Sequence, residues 1–361
     1  MRYRTRLWAA LATPLPDNER KDYMRLKYAI SILCLVFTAP AQTPGPARPP
    51  VLPPDTVIPD VAGVGNFSHI VSNLDKSIEF YRDVIGLELT APPAPFSPNP
   101  AIMKLGNTVG AQSHIALMKI PGAGIGLELI DYKEIDRKPA HPRFQDPGAG
   151  NLAILVKDID VVAARLKKAG AHVLTAAGSP VTIQGREKGF FVQDPDGFVI
   201  EVTQLTPLPA NASATPGNVF GASVEITVAD TAKTAKFYRD ALGFQLRVND
   251  AFTDNKLMAD TAGTPGAQFR QSSGQIPGSQ TRITFIEFKN IDRKPLNTRV
   301  QDPGTAILQL RVRDVDAVVK NLKAAGATVI STGGEPVTMG NRKLAIVRDA
   351  NNLFLELLPA Q

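Results

Sequence analysis

Four histidines stand in this chain, His69, His114, His141 and His172, and all of them fall in its first half. Imidazole is the side chain best suited to hold a metal or relay a proton near neutrality, so this distribution marks where such chemistry would sit. The two halves otherwise repeat one another. Phe80-Tyr81-Arg82-Asp83 returns as Phe237-Tyr238-Arg239-Asp240, Ile135 to Pro139 returns as Ile291 to Pro295, and Gln145 to Gly148 returns as Gln301 to Gly304. The offsets are 237−80 = 157, 291−135 = 156 and 301−145 = 156. Markers in one order at a nearly constant offset identify two copies of one domain.

Other chemistries are set aside early. The single cysteine, Cys34, lies in the N-terminal region, so a chain processed after it has no thiol nucleophile, disulfide or thiolate site. No Ser/His/acid arrangement of recognisable spacing and no phosphate-cradling glycine loop is present.

The net charge of +6 sits mostly at the start: residues 1–41 hold seven Lys/Arg and three Asp/Glu, so 7−3 = +4, and 6−4 = +2 remains for the rest. That gives no electrostatic case for nucleic acid. Met24-Arg25-Leu26-Lys27 is basic, residues 29–37 are apolar, and Ala39-Pro40-Ala41 supplies small residues before Gln42. This is the layout of a secretory signal peptide, too short to span a bilayer. The expectation is an exported protein without a stable membrane span, with Met24 as the true start. Residues 1–41 are the signal region and 42–61 a proline-rich tether.

Copy one is placed at 62–205, a linker at 206–217 and copy two at 218–361. In copy one, residues 65–73 alternate as a strand with Phe67, His69 and Val71 on one face. A helix over 75–85 ends at Gly86, and strands follow at 113–120 and 124–132. The pattern then restarts with a strand at 151–156, a helix capped by Asp158 or Asp160, and strands up to 198–204, with Asp194-Pro195-Asp196-Gly197 as a turn. Each copy reads β-α-β-β-β twice. The predicted class is α+β, with paired modules curving their strands around a cavity and helices outside. The stretches 91–112 and 250–280 are candidate lids.

His69 on a first strand, Asp75 to Leu87 behind it and Asp194-Pro195-Asp196-Gly197-Phe198-Val199-Ile200-Glu201 at the end resemble the vicinal oxygen chelate superfamily. That superfamily contains glyoxalase I, bleomycin-resistance proteins, fosfomycin-inactivating enzymes and extradiol dioxygenases. The resemblance covers both copies and implies metal ligands on the first and last strands of each module: His69, Glu128, Asn151 and Glu201 in copy one. Such a set would take Zn, Mn, Fe or Ni, with Glu201 or Glu128 as base. Glu128, Ile130 and Tyr132 share one strand face, as do Val199, Glu201 and Thr203. Asn151 departs from the pattern, standing where a second histidine is common; His114 or His141 could compensate, and His172 reads as a surface or strand residue. Copy two has Ile226, Thr284, Ile307 and Glu356 at the matching places and reads as a metal-free partner. The expected function is a metal-dependent lyase or dioxygenase acting on a small oxygenated or aromatic compound through copy one. The alternative is a metal-free binding protein of the bleomycin-resistance type, with Phe190, Phe191, Phe198, Phe285 and Phe288 available to line a cavity. A homodimer is compatible with either. Ile-Asp-Arg-Lys-Pro and Gln-Asp-Pro-Gly recur in both copies and read as structural, with Arg137 or Arg293 paired to an aspartate.

Overall fold

The computed structural model describes residues 60–183 and 185–360; the expected signal region, the start at Met24 and nearly all of the tether lie outside the described residues. The first module holds β1 (Val61–Val71), α1 (Leu74–Glu79) continuing as a π-helical turn over Phe80–Ile85, β2 (Glu88–Leu89), α2 (Pro100–Leu105), β3 (Gln112–Lys119) and β4 (Gly126–Lys133). The second holds β5 (Gly150–Val156), α3 (Ile159–Ala169), β6 (His172–Val173), β7 (Val181–Ile183), β8 (Glu187–Gln193) and β9 (Val199–Leu205). A short helix, α4 (Ala210–Ala214), lies between the copies. The third module follows with β10 (Val219–Thr227), α5 (Thr231–Leu242), β11 (Gln245–Val248), α6 (Lys256–Thr261), β12 (Gln268–Gln275) and β13 (Arg282–Lys289). The fourth has β14 (Ala306–Val312), α7 (Val315–Ala324), β15 (Thr328–Val329), β16 (Val337–Met339), β17 (Arg342–Arg348) and β18 (Phe354–Pro359).

Local chemistry starts and stops the four long helices. Asn73, Asp158, Asp230 and Asp314 each accept a hydrogen bond from a backbone N–H of the first turn, which satisfies donors the helix itself leaves unpaired. Gly86, Gly170 and Gly243 end three of them in the left-handed region, and Gly326 follows the fourth. The expected lid stretches are not plain loops: each carries a short helix, α2 or α6. Ser331 Oγ donates to Leu105 O at 3.0 Å and Thr175 Oγ1 to Thr261 O at 2.6 Å. Each lid helix is thereby tied to the module on the far side of its own sheet.

The strands form two mixed sheets, and the modules pair across the copies rather than within them. Sheet A runs β2-β3-β4-β1-β14-β18-β17-β15, joining the first and fourth modules; sheet B runs β11-β12-β13-β10-β5-β9-β8-β6, joining the third and second. The seams are antiparallel, β1 with β14 and β5 with β10. The inner pairs β1/β4, β14/β18, β5/β9 and β10/β13 are parallel.

The two modules of one copy therefore stand back to back, in different sheets. One apolar core joins them, with Phe67, Leu129, Leu152, Val224, Leu308 and Leu355 all fully buried in it. Tyr81 OH donates to Asp194 Oδ2 at 3.0 Å, and Tyr238 OH to Asp349 Oδ2 at 3.0 Å, so each copy ties its helix to its own last turn. Gly122 and Gly278, at equivalent turns, press against the first strands of the opposite sheets. A Cβ on either would meet a backbone oxygen at 2.2 Å, from Phe220 and Ala62 respectively, so only glycine fits.

The repeated motifs clamp the copies to each other. Arg143 Nη2 donates to Asp146 Oδ1 at 2.7 Å and Arg143 Nη1 to Asp292 Oδ2 at 2.8 Å, while Lys294 N donates to Asp146 Oδ1 at 2.8 Å. The mirror set has Arg299 on Asp302 at 2.7 Å, Arg299 on Asp136 at 3.0 Å and Lys138 N on Asp302 at 2.8 Å. Arg137 pairs with Asp131 at 2.7 Å, whereas the Nη1 of Arg293 finds no partner. Asp146 and Asp302 are buried, and each accepts two part-buried backbone N–H groups, from Arg143 and Lys294 and from Arg299 and Lys138, so removing either leaves those donors unpaired. Asp302→Ala is expected to cost about 2–4 kcal/mol, read from urea unfolding; a change within about 0.5 kcal/mol would show that the clamp carries no weight.

Candidate functional site

Strand register decides which side chains share a face. In parallel β1/β4, Ser68 stands beside Glu128 and His69 beside Leu129. Ser68 and Glu128 thus face the concave side of sheet A, and His69 faces the shared core. There His69 is fully buried, its ring 4.3 Å from Phe198 and its Nδ1 3.2 Å from Asp194 Oδ2. Neither ring nitrogen has hydrogen-bond alignment, so the contact is a close approach and not a directed bond. The expectation that His69 joins the site is corrected by this one-residue shift of face. Asn151 and Glu201 lie in sheet B, so the topology also separates them from Glu128. His114 sits beside Asp131, on the face away from Glu128, 4.9 Å from Phe96. His141 is exposed, and His172 is exposed and bonded to Gln193 at 2.7 Å.

What gathers instead is a site built from both copies, which we call cup A. Its floor is Ser68 and Glu128 from copy one and Gln309 and Glu356 from copy two. Ser68 Oγ donates to Glu128 Oε2 at 2.5 Å. Gln309 Nε2 donates to Glu128 Oε2 at 2.8 Å and to Glu356 Oε2 at 3.0 Å. Apolar walls rise from Ile70, Met103, Tyr132, Ile307, Ile346 and Phe354, a cluster separate from the main core. Glu128 and Glu356 keep part of their surface accessible. Burial raises the Glu128 carboxyl, opposed by the bonds from Ser68 and Gln309. Burial first, and then the charge of Glu128, push Glu356 up to about 8, with Gln309 opposing. Tyr132 is raised in turn by burial and by both glutamates, so it stays a neutral phenol.

The corresponding place in sheet B, cup B, has another acid pair. Glu225 is paired directly with Asn151, and Glu201 with Ala153, so all four share the concave face. Glu201 and Glu225 are 1% and 2% exposed. The Glu201 and Glu225 carboxyls lie close enough to raise one another's cost of ionising, and neither Oε2 has a hydrogen-bond partner, so the buried pair favours holding a proton over carrying two negative charges. Burial and then Glu225 hold Glu201 well above its ordinary range; burial pushes Glu225 up to about 8, opposed by Glu201 and Arg282. Phe191 and Phe288 line this cup with Phe144, which lies 5.0 and 5.4 Å from their rings. Phe190, Phe198 and Phe285 belong to the shared core instead.

Gln309, Glu356, Ser68 and Glu225 were absent from the expected set. The available signal was the recurrence of glutamate at positions 201 and 356, together with Glu225 standing at the place of Ser68 in the repeat.

The family model for the Glyoxalase/Bleomycin resistance protein/Dioxygenase superfamily matches residues 63–202 and again 222–357. The chain belongs to that superfamily. A 2-epi-5-epi-valiolone epimerase from Actinomyces is 32% identical over 161 residues, covering 43% of this chain and 84% of that protein. The metallothiol transferase FosB of Shouchella clausii is 30% identical over 145 residues, 39% of this chain and 80% of its own length. Among solved structures, glyoxalase I from Zea mays superposes with a TM-score of 0.53 at 19% identity, covering 82% of this chain and 92% of that one. A putative dioxygenase from Bacillus subtilis gives 0.52 at 13% identity over 83% and 86%. These two likenesses show the fold.

The metal implied by resemblance to the superfamily can be tested against the side chains present. Among the described residues no group of three or more His, Cys, Asp or Glu is disposed to hold a metal ion. Cup A offers two carboxyls with an amide N–H donor between them, and cup B offers two buried carboxyls whose Oε2 atoms have no partner. Neither arrangement presents the three converging lone-pair donors a Zn-type site uses, so the residues do not fit the group in this conformation.

The acid pairs do predict a pH response. Glu201 and Glu225 have folded values above the ordinary 4.5, so the native state keeps protons that the unfolded chain has already released. Stability is therefore fully present below the ordinary value and falls as pH rises from 4.5 through about 8. Glu225→Gln is expected to make the fall in melting temperature between pH 5 and pH 9 shallower. It should raise the pH 9 midpoint by on the order of 2–4 °C; an unchanged slope would show that the buried pair does not hold a proton above its ordinary range.

Proposed function

We propose that cup A is an acid–base site that moves a proton at a carbon next to the carbonyl of a small oxygenated compound, making the chain an isomerase, epimerase or related lyase. The observation that carries this reading is a pair of accessible carboxyls held by one amide, at 2.8 and 3.0 Å, with Glu356 pushed up to about 8. Burial pushes both acids up, but the charge of its neighbour raises only Glu356 further, while two donors favour the ionised form of Glu128. Glu128 receives both Ser68 and Gln309 on one oxygen and is the ionised base. Glu356 is the neutral acid.

Glu128 takes the proton from the α-carbon as the C–H electron pair moves into a carbon–carbon double bond, and Glu356 gives its proton to the carbonyl oxygen, leaving a neutral enediol. Return of a proton to carbon, with the hydroxyl proton going back to a carboxylate, completes an isomerisation that consumes no oxidant, reductant or co-reactant. The polar floor and apolar walls suit a small substrate carrying adjacent oxygens on one side. The likeness to an epimerase over most of that protein's length supports the reaction class. The side chains of cup A lend no support to a metal-dependent dioxygenase.

A second reading, binding without turnover, is favoured by cup B, whose acids are closed from solvent against phenylalanine walls. Export is part of the proposal, since the basic start, apolar run and small residues before Gln42 form a signal. Amino-terminal sequencing of the processed protein should begin at Gln42; an intact amino terminus on protein kept inside the cell would overturn export.

The catalytic reading is tested by hydrogen–deuterium exchange at the α-carbon of small α-hydroxyketones and aldehydes in D2O, followed by proton NMR. Glu128→Gln and Glu356→Gln should each slow exchange by about 10²–10⁴-fold, and wild-type exchange should decline above about pH 8 as Glu356 ionises. Wild-type rates in both variants would sink the reading.

A further inference from the structure

We propose that Gln309 occupies the place a cation would take in cup A, and that its amide, not a metal ion, holds Glu128 and Glu356 together. The inference stands on the geometry of the cup and does not require the catalytic reading above.

The orientation of the amide is determined by its surroundings. Asn66 N donates to Gln309 Oε1 at 2.8 Å, so that oxygen must face the backbone. Nε2 then lies 2.8 Å from Glu128 Oε2, 3.0 Å from Glu356 Oε2 and 3.3 Å from Ser68 Oγ. Turning the amide over would aim its oxygen at two carboxylates and its N–H groups at a backbone N–H, losing every favourable contact. A cation bridging the two acids would have to displace Nε2.

The backbone is shaped around this side chain. The β1/β14 register shifts between Val64 and Phe67, so that Gly65 and Asn66 both stand opposite Gln309. A Cβ on Gly65 would meet Gln309 Oε1 at 2.7 Å and Gln309 Cβ at 2.8 Å. Bulge and glycine together let the amide lie flat against the strand. Cup B offers a comparison. The residue at the place of Gln309 is Ala153, 309−153 = 156, and Thr284 stands at the place of Glu128, 284−128 = 156. Where the amide is missing the bridged pair is missing too, and the Oε2 atoms of Glu201 and Glu225 have no hydrogen-bond partner.

Two measurements on the full chain, neither needing a substrate, test the proposal. Titration with Mn²⁺, followed by loss of the free-ion paramagnetic resonance signal, should show no saturable binding by wild type below about 1 mM. Gln309→Glu, which puts a third carboxylate where Nε2 stood, should bind at least about 100-fold more tightly, and adding Glu128→Gln should reverse the gain. One tight Mn²⁺ per wild-type chain, lost in Glu128→Gln, would overturn the proposal. The second measurement guards against a Gln309→Glu chain that fails to fold. In Gln309→Leu, folded by circular dichroism, carboxyl-carbon NMR should show the Glu128 and Glu356 titrations moved upward because a donor to both is gone. Unchanged titrations would equally refute the assignment. Either result leaves the proton-exchange reading to stand or fall on Glu128 and Glu356 alone.

Discussion

The antiparallel seams between β1 and β14 and between β5 and β10 are the constraint on which the rest depends. Each module has a strand whose free edge must be paired, because an open edge leaves a row of backbone donors and acceptors unsatisfied. The modules of one copy cannot provide this for each other, since they stand back to back, with Tyr81 on Asp194 and Tyr238 on Asp349. The free edge of each is met by the other copy. Neither half of the sequence therefore contains a complete concave face. Copy two, which lacks three of the four expected donors, supplies Glu356 and Gln309 to one cup and Glu225 to the other.

Much of this was legible in the sequence. The repeat, the β-α-β-β-β modules, the aspartate caps and the glycine stops all leave local marks of residue type and spacing. The face of β1 was not legible. Phe67, Ser68, His69, Ile70 and Val71 are all fully buried, because one side of the strand meets the core and the other meets a covered cup. Alternation loses its contrast when both sides are buried: Phe67, His69 and Val71 do share a face, but that face meets the core and not the cup. The imidazole of His69 lies against Phe198 in the core, and the cup-facing residue is Ser68.

The choice of partner was harder still. Modules two and four resemble each other closely, so nothing local in β1 says whether it lies beside β5 or β14. Glu356 was visible as the repeat of Glu201, yet it looked isolated because its partner, Glu128, lies 228 positions earlier (356−128). The Asp146 and Asp302 clamps join the two copies through residues far apart in the chain, contacts that no local pattern announces.

Covalent duplication explains why the two cups can differ. In a symmetric dimer of identical chains both cups would carry the same residues, because each would be built from the same two modules. Here the equivalent positions have separated: Ser68 stands for Glu225, Glu128 for Thr284 and Gln309 for Ala153, while Glu356 and Glu201 alone agree. Each cup retains two acids, but the second comes from β4 in one and from β10 in the other. That shift of one strand changes the chemistry. On β4 the acid is held across an amide and reaches solvent; on β10 it touches its neighbour and is closed away. One fold, duplicated in a single chain, thus carries an amide-bridged acid pair that reaches solvent and a second acid pair closed away from it.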